Sequence, residues 1–402
     1  MTIKRRPTTQ VMAGGVGIGS DFPVAIQSMT NTPTASVDAT VKQITQLVKA
    51  GSELVRLTVN DEKAAEAIPR IRQKLDEKGV PVPLIGDFHF NGHLLLTEFP
   101  EMAKTLSKYR INPGNLGLGQ KHDEHFEMII KTAIKFDKSV RIGVNSGSLD
   151  PDLLKHLMNK NASSANPQPA SRVFSEAMII SALQSAEQAG KFGLSENRII
   201  ISAKTPDVQD LIFIYERLAS EIPHPLHIGL TEAGQQEQGI ISSAAAIAVL
   251  LQKGIGDTIR VSLTPDEKNP RTKEVEICKH ILQSLGIRYF FPRIISCPGC
   301  GRSPSRRFQH LTQTVQTYVN EHFEKWKTAH PGVSRITIAI MGCVVNGPGE
   351  SRHADIGISL PGETEKPTAP VYIRGEFLKT LQGTRYEQEF LKILDDFIHK
   401  FC

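Results

Sequence analysis

Cys297-Pro298-Gly299-Cys300 puts two thiols on one short turn, and a third thiol follows in the stretch Met341-Gly342-Cys343-Val344-Val345-Asn346-Gly347-Pro348-Gly349-Glu350. A C-x-x-C pair can ligate one metal centre or close into a redox disulfide. Gly and Pro surround all three cysteines, so bare backbone amides can approach sulfur or an anion. Three centres compete. Zinc wants a fourth Cys or His at ribbon or knuckle spacing; Cys278 lies too far upstream, and His353 is the remaining option. A redox disulfide wants the pair at a helix N-terminus and leaves Cys343 without a role. An iron–sulfur cluster suits three thiolates and one different ligand, for which the Glu350 carboxylate can supply an oxygen. Spacing favours the cluster and leaves the other two open.

A second set of capable residues sits at the ends of short apolar runs. Side chains two apart on a strand share a face. That pairs Asp87 with His89, Arg110 with Asn112, Arg141 with Asn145 across Gly143, Ser202 with Lys204, and Arg260 with Ser262. Arg56 and Thr58 match the pattern, and Glu232 follows the face of Leu230. Brought to one mouth, Arg56, Arg110, Arg141, Lys204 and Arg260 would repel one another unless an anion joined them. Forked guanidinium groups suit a phosphate or diphosphate. The bland alternative pairs each Arg with a carboxylate or turns it outward, but the strand ends offer too few carboxylates to pair them all.

The elements that must position these residues follow a rhythm. The runs Val24–Gln27, Leu54–Thr58, Leu84–His89, Tyr109–Asn112, Val140–Asn145, Ile199–Lys204, Leu226–Leu230 and Thr258–Ser262 alternate with helical stretches such as Asp38–Ala50 and Ser171–Ala189. Repeated strand–helix units predict a parallel sheet. Eight of them match an α/β fold with a (β/α)8 TIM barrel, with a doubly wound open sheet as the alternative. In a barrel the C-terminal strand ends converge on one mouth, where active sites sit. Gly14, Gly15, Gly17 and Gly19 miss the dinucleotide pattern and predict a β-hairpin. Asp150–Pro169, rich in Asn, Ser and Pro, reads as a mobile insertion. Glu274–Leu285 reads as the last barrel helix, with Cys278 in the core. A composition shift near Ile287–Pro292 divides the chain into a barrel, residues 1–286, and a small α/β domain, residues 287–402. In the latter, Phe308–Lys327, Glu376–Gln382 and Tyr386–His399 read as helices, and Arg335–Met341, Ala354–Ile358 and Val371–Ile373 as strands.

The chain is 40% hydrophobic and 22% charged, with five cysteines and a formal charge of +5. This predicts a globular protein of a reducing, cytoplasmic compartment. No apolar run suits a membrane span, no secretory signal is visible, and no basic run interleaved with aromatics suggests nucleic acid.

VAIQSMTN (Val24–Asn31), GSELVRLTV (Gly51–Val59), IGDFHF (Ile85–Phe90), RINPGNLG (Arg110–Gly117), RIGVNSG (Arg141–Gly147), SCPGCG (Ser296–Gly301) and MGCVVNGPGE (Met341–Glu350) together resemble one family. It is the bacterial-type 4-hydroxy-3-methylbut-2-en-1-yl diphosphate synthase of the non-mevalonate isoprenoid pathway. The resemblance implies an iron–sulfur oxidoreductase that opens 2-C-methyl-D-erythritol 2,4-cyclodiphosphate by reductive dehydration. It implies one 4Fe-4S cluster per chain, ligated by Cys297, Cys300, Cys343 and Glu350 and fed by flavodoxin or ferredoxin. It implies that Arg56, Arg110, Arg141, Lys204 and Arg260 hold the diphosphate, with His89, Asn145 and Ser262 beside them. Glu232 and Asn346 would face the reacting carbon and its oxygens, and Glu232, Glu350, Asn346 and His89 are the candidate catalytic groups. The small domain would be a sulfite-reductase-like module.

The short linker adds an expectation about assembly. It would leave the small domain near the bottom of its own barrel, roughly 25–30 Å from the mouth. A head-to-tail homodimer with composite sites would close that gap. Rival readings are a non-catalytic iron–sulfur electron carrier, a zinc-binding module on a barrel, and a pterin-using barrel transferase.

Overall fold

In the computed structural model, residues 3–116, 120–266, 270–301, 303, 306–362, 365–383 and 385–402 are described. A hairpin of β1 (Val11–Ala13) and β2 (Val16–Ile18) opens the fold, as the glycine pattern predicts. Eight parallel strands follow: β3 (Ala25–Met29), β4 (Leu54–Thr58), β5 (Leu84–Phe88), β6 (Lys108–Ile111), β7 (Ser139–Asn145), β8 (Ile199–Lys204), β9 (His227–Ile228) and β10 (Thr258–Ile259). Their spatial order is β8-β7-β6-β5-β4-β3-β10-β9, and a single bridge, Ile201 to Leu226, links β8 back to the segment entering β9. The sheet is therefore a nearly closed barrel. The open-sheet alternative fails because the first strand pairs with both the second and the last.

Helices return the chain between strands: α1 (Val37–Ala50), α2 (Glu62–Glu77), α3 (Gly92–Glu98), α4 (Pro100–Thr105), α5 (Gln120–Lys135), α6 (Pro151–Ala162), α7 (Ala170–Lys191), α8 (Val208–Glu221), α9 (Gln236–Gln252) and α10 (Arg271–Ser284). Their starts are chemically marked. Asp61 accepts from the Ala64 amide at 2.8 Å and Asp207 from the Asp210 amide at 2.9 Å, satisfying donors that the first turn leaves free. The segment expected to be an insertion contains α6, an extra helix between β7 and α7 with no buried residue. Asp150 caps it by accepting from the Asp152 amide at 2.8 Å, and Pro151 occupies its first turn. Its Asn- and Ser-rich composition hid that start signal.

The barrel is plugged at its N-terminal end. Val11, Ala13 and Ile18 of the hairpin pack on Ala25, Leu54, Ile85 and Ile200 at the strand starts. The preceding segment is strapped down by Arg6, which donates to the carbonyls of Ala219 at 3.1 Å and His224 at 2.7 Å. One end is thus apolar and sealed, and chemistry is confined to the other.

The chain divides into two compact units, Met1–Arg288 and Tyr289–Cys402. The second unit is a five-stranded sheet: β11 (Arg293–Ser296), β12 (Thr337–Met341), β13 (Ile356–Ser359), β14 (Thr368–Ile373) and β15 (Glu376–Gln382). The first three strands run parallel and the last two antiparallel. The long helices α11 (Arg307–Ala329) and α13 (Tyr386–Phe401) supply Phe308, Leu311, Val315, Phe390 and Phe397 to a core shared with Ile338, Ile340, Ile356 and Ile358. A short α12 (Gly347–His353) follows the Cys343 loop. Glu376–Gln382, expected to be helical, is an edge strand. Arg374 and Gly375, at φ 50 and 86, form a two-residue turn of the primed hairpin type that pairs Ile373 with Glu376. An Arg-Gly turn is not the strong Asn-Gly signal, and tertiary pairing overrode local propensity. Strand β11 was not anticipated.

Candidate functional site

Strand register assembles the barrel mouth. Asp87 lies beside Arg110, Arg110 beside Arg141, and Asn145 beside Lys204 on neighbouring parallel strands. Arg56, Arg110, Arg141, Lys204 and Arg260 are all between 1% and 9% exposed. Arg110 donates to Asp87 Oδ1 at 2.9 Å and to the Gly143 carbonyl at 3.2 Å, and lies 3.2 Å from His89 Nε2. With its amide oxygen facing the guanidinium, Asn145 accepts from Arg110 Nη2 at 3.1 Å. Gly143 is needed here: a Cβ would stand 2.7 Å from Arg110 Nε. Arg141 donates to Ser202 Oγ at 2.5 Å. Arg56 lies 3.6 Å from Asp87 Oδ2 and leans on the Met29 sulfur. Arg260 stands 3.8 Å from Glu274 Oε2.

The expectation that these cations lack carboxylates needs correction. Asp87 serves Arg110 and Arg56 together, and Glu274 reaches Arg260 from helix α10 rather than from a strand. Sequence reasoning missed Glu274 because it lies inside a helical pattern, far from any strand end. Even so, positive charge exceeds negative. Among the described residues Arg141 Nε and Nη2, Arg110 Nε and Arg260 Nε are buried without partners. Burial disfavours the Asp87 carboxylate, yet Arg56, Arg110 and His89 together hold it well below the usual range. Burial, then Arg260 and Arg141, push Lys204 well below a normal lysine. Burial, then Arg56 and Arg110, do the same to Arg141. A guanidinium keeps its proton near neutrality, so this depression records an unfavourable field that an anion would relieve.

The remaining mouth residues differ in exposure. His89 is steadied by Asn115, whose amide lies 2.8 Å from Nδ1, a contact that sequence reasoning did not foresee. Asn112 is buried, and its Nδ2 donates to Ser148 Oγ at 2.6 Å. Ser262 lies just past β10 and is half-buried. Glu232 is exposed on the loop after β9 with φ 51, a backbone conformation that non-glycine residues seldom adopt.

In the second unit, parallel β11 and β12 bring Cys297 and Cys343 to the same sheet edge, because each follows the C-terminal end of its strand and Ser296 pairs with Ile340. Gly342 lets the turn approach: a Cβ there would lie 3.3 Å from Cys297 Sγ and 2.7 Å from the Phe308 ring. The Cys343 carbonyl accepts from the Gly347 amide at 3.2 Å and from Ser359 Oγ at 3.1 Å. Glu365 accepts from the Val344 amide at 3.0 Å and braces the loop. Cys300 is exposed, and Asn346 and Glu350 are exposed at the start of α12. Cys278 is buried in the barrel, its thiol pushed up to about 12 chiefly by burial. Among the described residues no three Cys, His, Asp or Glu side chains converge on a point that could hold a single ion. A cluster takes each ligand on a different iron, so its donors need not converge that closely. Three thiols outside any disulfide, with the Glu350 carboxylate on α12 after the Cys343 loop, are a donor set that fits it.

Residues 8–279 match the model of the GcpE TIM-barrel domain, and residues 293–396 match that of the GcpE protein C-terminal domain. The chain belongs to the GcpE family. That is the family of 4-hydroxy-3-methylbut-2-en-1-yl diphosphate synthase, an oxidoreductase of isoprenoid biosynthesis. Among solved structures, the GcpE chain is similar to dihydropteroate synthase from Xanthomonas albilineans in complex with 7,8-dihydropteroate, with 12% identity and a TM-score of 0.46 over 69% of this chain and 98% of that one. It is also similar to the Yersinia pestis dihydropteroate synthase, with 13% identity and a TM-score of 0.44 over 69% and 98%. A third is Plasmodium falciparum HPPK-DHPS, with 12% identity and a TM-score of 0.48 over 69% and 50%. Likenesses this distant carry no argument about the GcpE chain. No helix among its described residues is long and apolar enough to cross a membrane.

Proposed function

We propose that this GcpE chain catalyses the reductive ring opening and dehydration of 2-C-methyl-D-erythritol 2,4-cyclodiphosphate to 4-hydroxy-3-methylbut-2-enyl diphosphate. The observation that carries the reading is the ring of buried cations at the barrel mouth, with donors of Arg110, Arg141 and Arg260 left unpartnered among the described residues. A diphosphate supplies the missing acceptors. Charge-assisted contacts are worth roughly 1.5–3 kcal/mol each, so a few of them fix a doubly charged ligand.

The chain's own residues divide the work. Arg110 is clamped by Asp87, Gly143 and Asn145, and so holds its positive charge in a fixed place beneath the ligand. Arg141, Lys204 and Arg260 neutralise the phosphates, with Arg56, Asn145 and Ser262 beside them. His89, held by Asn115 and Arg110, orients a substrate oxygen. Glu232 and Asn346 supply polar groups for the reacting carbon and its leaving oxygen. Cys297, Cys300, Cys343 and Glu350 would hold the 4Fe-4S cluster. When bound, such a cluster supplies single electrons and a Lewis-acidic iron, and an iron held by the harder carboxylate exchanges that ligand most readily.

Flavodoxin or ferredoxin is the proposed electron donor. The proposed assembly is a homodimer in which one chain's barrel receives the other's cysteine unit, in a cytoplasmic setting. Anaerobically prepared protein should contain about four irons and four sulfides per chain and turn over cyclodiphosphate with an added reductant. Stoichiometric zinc without sulfide would end the cluster reading. Mixing Cys343→Ser and Arg141→Leu chains tests the assembly, because each heterodimer rebuilds one intact composite site. Heterodimers that form and stay inactive would place the site within one chain.

A further inference from the structure

A (β/α)8 barrel is ordinarily filled by layers of branched apolar side chains. Here the layer at the hairpin is apolar, but the layer between it and the mouth is polar. Lys108 opens β6 two residues before Arg110, so it leaves the same inward face about 7 Å lower. It is fully buried, and its Nζ reaches Gln27 Oε1 at 3.5 Å. Gln27 is on β3, which is not adjacent to β6 in the sheet, so the amine crosses the barrel interior. His227 of β9 is equally buried. Its Nδ1 bonds Thr258 Oγ1, while its Nε2 has no partner among the described residues, nor does Gln27 Nε2.

The charges around this layer are almost all positive. Lys108 faces Arg56 of β4 and Arg141 of β7. His227 faces Lys204 of β8 together with Arg141, Lys108 and Arg56. From β5, Asp87 is committed to Arg110 and Arg56. Just past β10, Arg260 is accompanied by Glu274 and Cys278 of α10. From α8, Tyr215 bonds the His227 carbonyl at 2.6 Å. Burial and then Arg141 and Arg56 hold Lys108 well below the ordinary lysine range. Burial and then Lys204 lower His227 in the same way. Both groups are thereby driven toward their neutral forms in the free barrel.

We propose that Lys108 is a proton-accepting lower tier of the diphosphate site, its charge acting in turn on His227, so that binding of the dianion above draws a proton from solvent onto this buried amine. The inference rests on the diphosphate reading of the mouth. Arriving negative charge offsets the field that disfavours the ammonium form. One N–H bond forms on Lys108, the buffer supplies the proton, and no electrons move. The free barrel is spared a further buried cation, and the bound diphosphate gains one beneath it.

Calorimetric titration of the anaerobic, unreduced holoprotein with cyclodiphosphate tests this, in buffers of low and high ionisation enthalpy. Each phosphorus of the cyclic ligand carries one strongly acidic hydroxyl, so the ligand stays doubly charged and does not contribute to proton uptake. Uptake of about one proton per substrate is expected, with affinity falling by up to about tenfold per pH unit in the coupled range. Lys108→Met should lose the uptake and flatten that profile, and His227→Gln should diminish it. Lys108→Arg, permanently charged, should also lose it and serves if the Met variant does not fold. Wild-type binding without buffer-dependent heat would overturn the proposal. So would undiminished uptake in the Lys108 variants, which would move the proton to another group such as Lys204. If folded wild type binds no cyclodiphosphate at all, the reading of the mouth falls, and this proposal with it.

Discussion

The barrel mouth and the cysteine edge of the second unit prepare for charge in opposite ways. At the mouth, charged groups are buried, and Asp87 alone links two of the five cations. Burial there raises the energy of the empty site and makes an anion its natural complement. At the cysteine edge, Cys300, Asn346 and Glu350 are exposed, and what is built is backbone: Gly342 against Cys297, and Ser359 and Glu365 bracing the Cys343 loop. A site for a charged ligand can be preset by packing. A site of soft donors can leave its side chains open and preset only the loops that carry them.

The largest effect should come from removing the carboxylate that Arg56 and Arg110 share. Asp87→Asn should cost about 3–5 kcal/mol of barrel stability, because it leaves buried guanidinium groups uncompensated. Denaturant unfolding of the ligand-free protein measures it, and a loss under 1 kcal/mol, within the ordinary range of single substitutions, would mean the mouth is solvated rather than strained. Arg141→Leu should weaken cyclodiphosphate binding by about 10- to 100-fold, the value of one charge-assisted contact, and leave the cluster's visible spectrum intact. Unchanged affinity would remove Arg141 from the site.

Titration sharpens the same contrast. Lys108 and Lys204 have depressed values in the folded barrel, so between those values and the unfolded lysine value near 10.4 the unfolded chain binds more protons. Stability of the ligand-free barrel should therefore rise as pH climbs toward about 10, and bound diphosphate should flatten the slope. Asp87 acts on the other side. Its contribution is full above about pH 4 and is lost as pH falls through its depressed folded value. A stability profile that declines from neutrality toward pH 9, within that lysine window, would contradict the buried-cation account. The smallest effects belong to the cysteine edge. Glu350→Gln and Cys300→Ser should change ligand-free stability by no more than about 0.5 kcal/mol, since both side chains are exposed. Turnover of Glu350→Gln should nonetheless fall sharply while a cluster still assembles, and full activity would exclude Glu350 as the fourth ligand.

The strand–helix rhythm and the identities of Arg56, Arg110, Arg141, Lys204 and Arg260 were readable in the residues alone, because apolar runs of strand length end in polar pairs of period two. That periodicity says which residues share a face and near which strand end they lie. It does not say which carboxylate reaches them from elsewhere in the chain. Glu274 reaches Arg260 from α10, Asn115 steadies His89 from a turn, and Gln27 meets Lys108 across the barrel, all contacts between residues far apart or on different elements. Local pattern also misjudged Glu376–Gln382, whose strand state depends on the β14 partner. Sequence by itself determined the kinds of chemistry available, the soft thiols Cys297, Cys300 and Cys343 in one half and a set of cations in the other. Only the tertiary structure decided that the cations are buried around Asp87 and Glu274 with a polar tier beneath them, because burial and field are sums over neighbours that chain closure brings together.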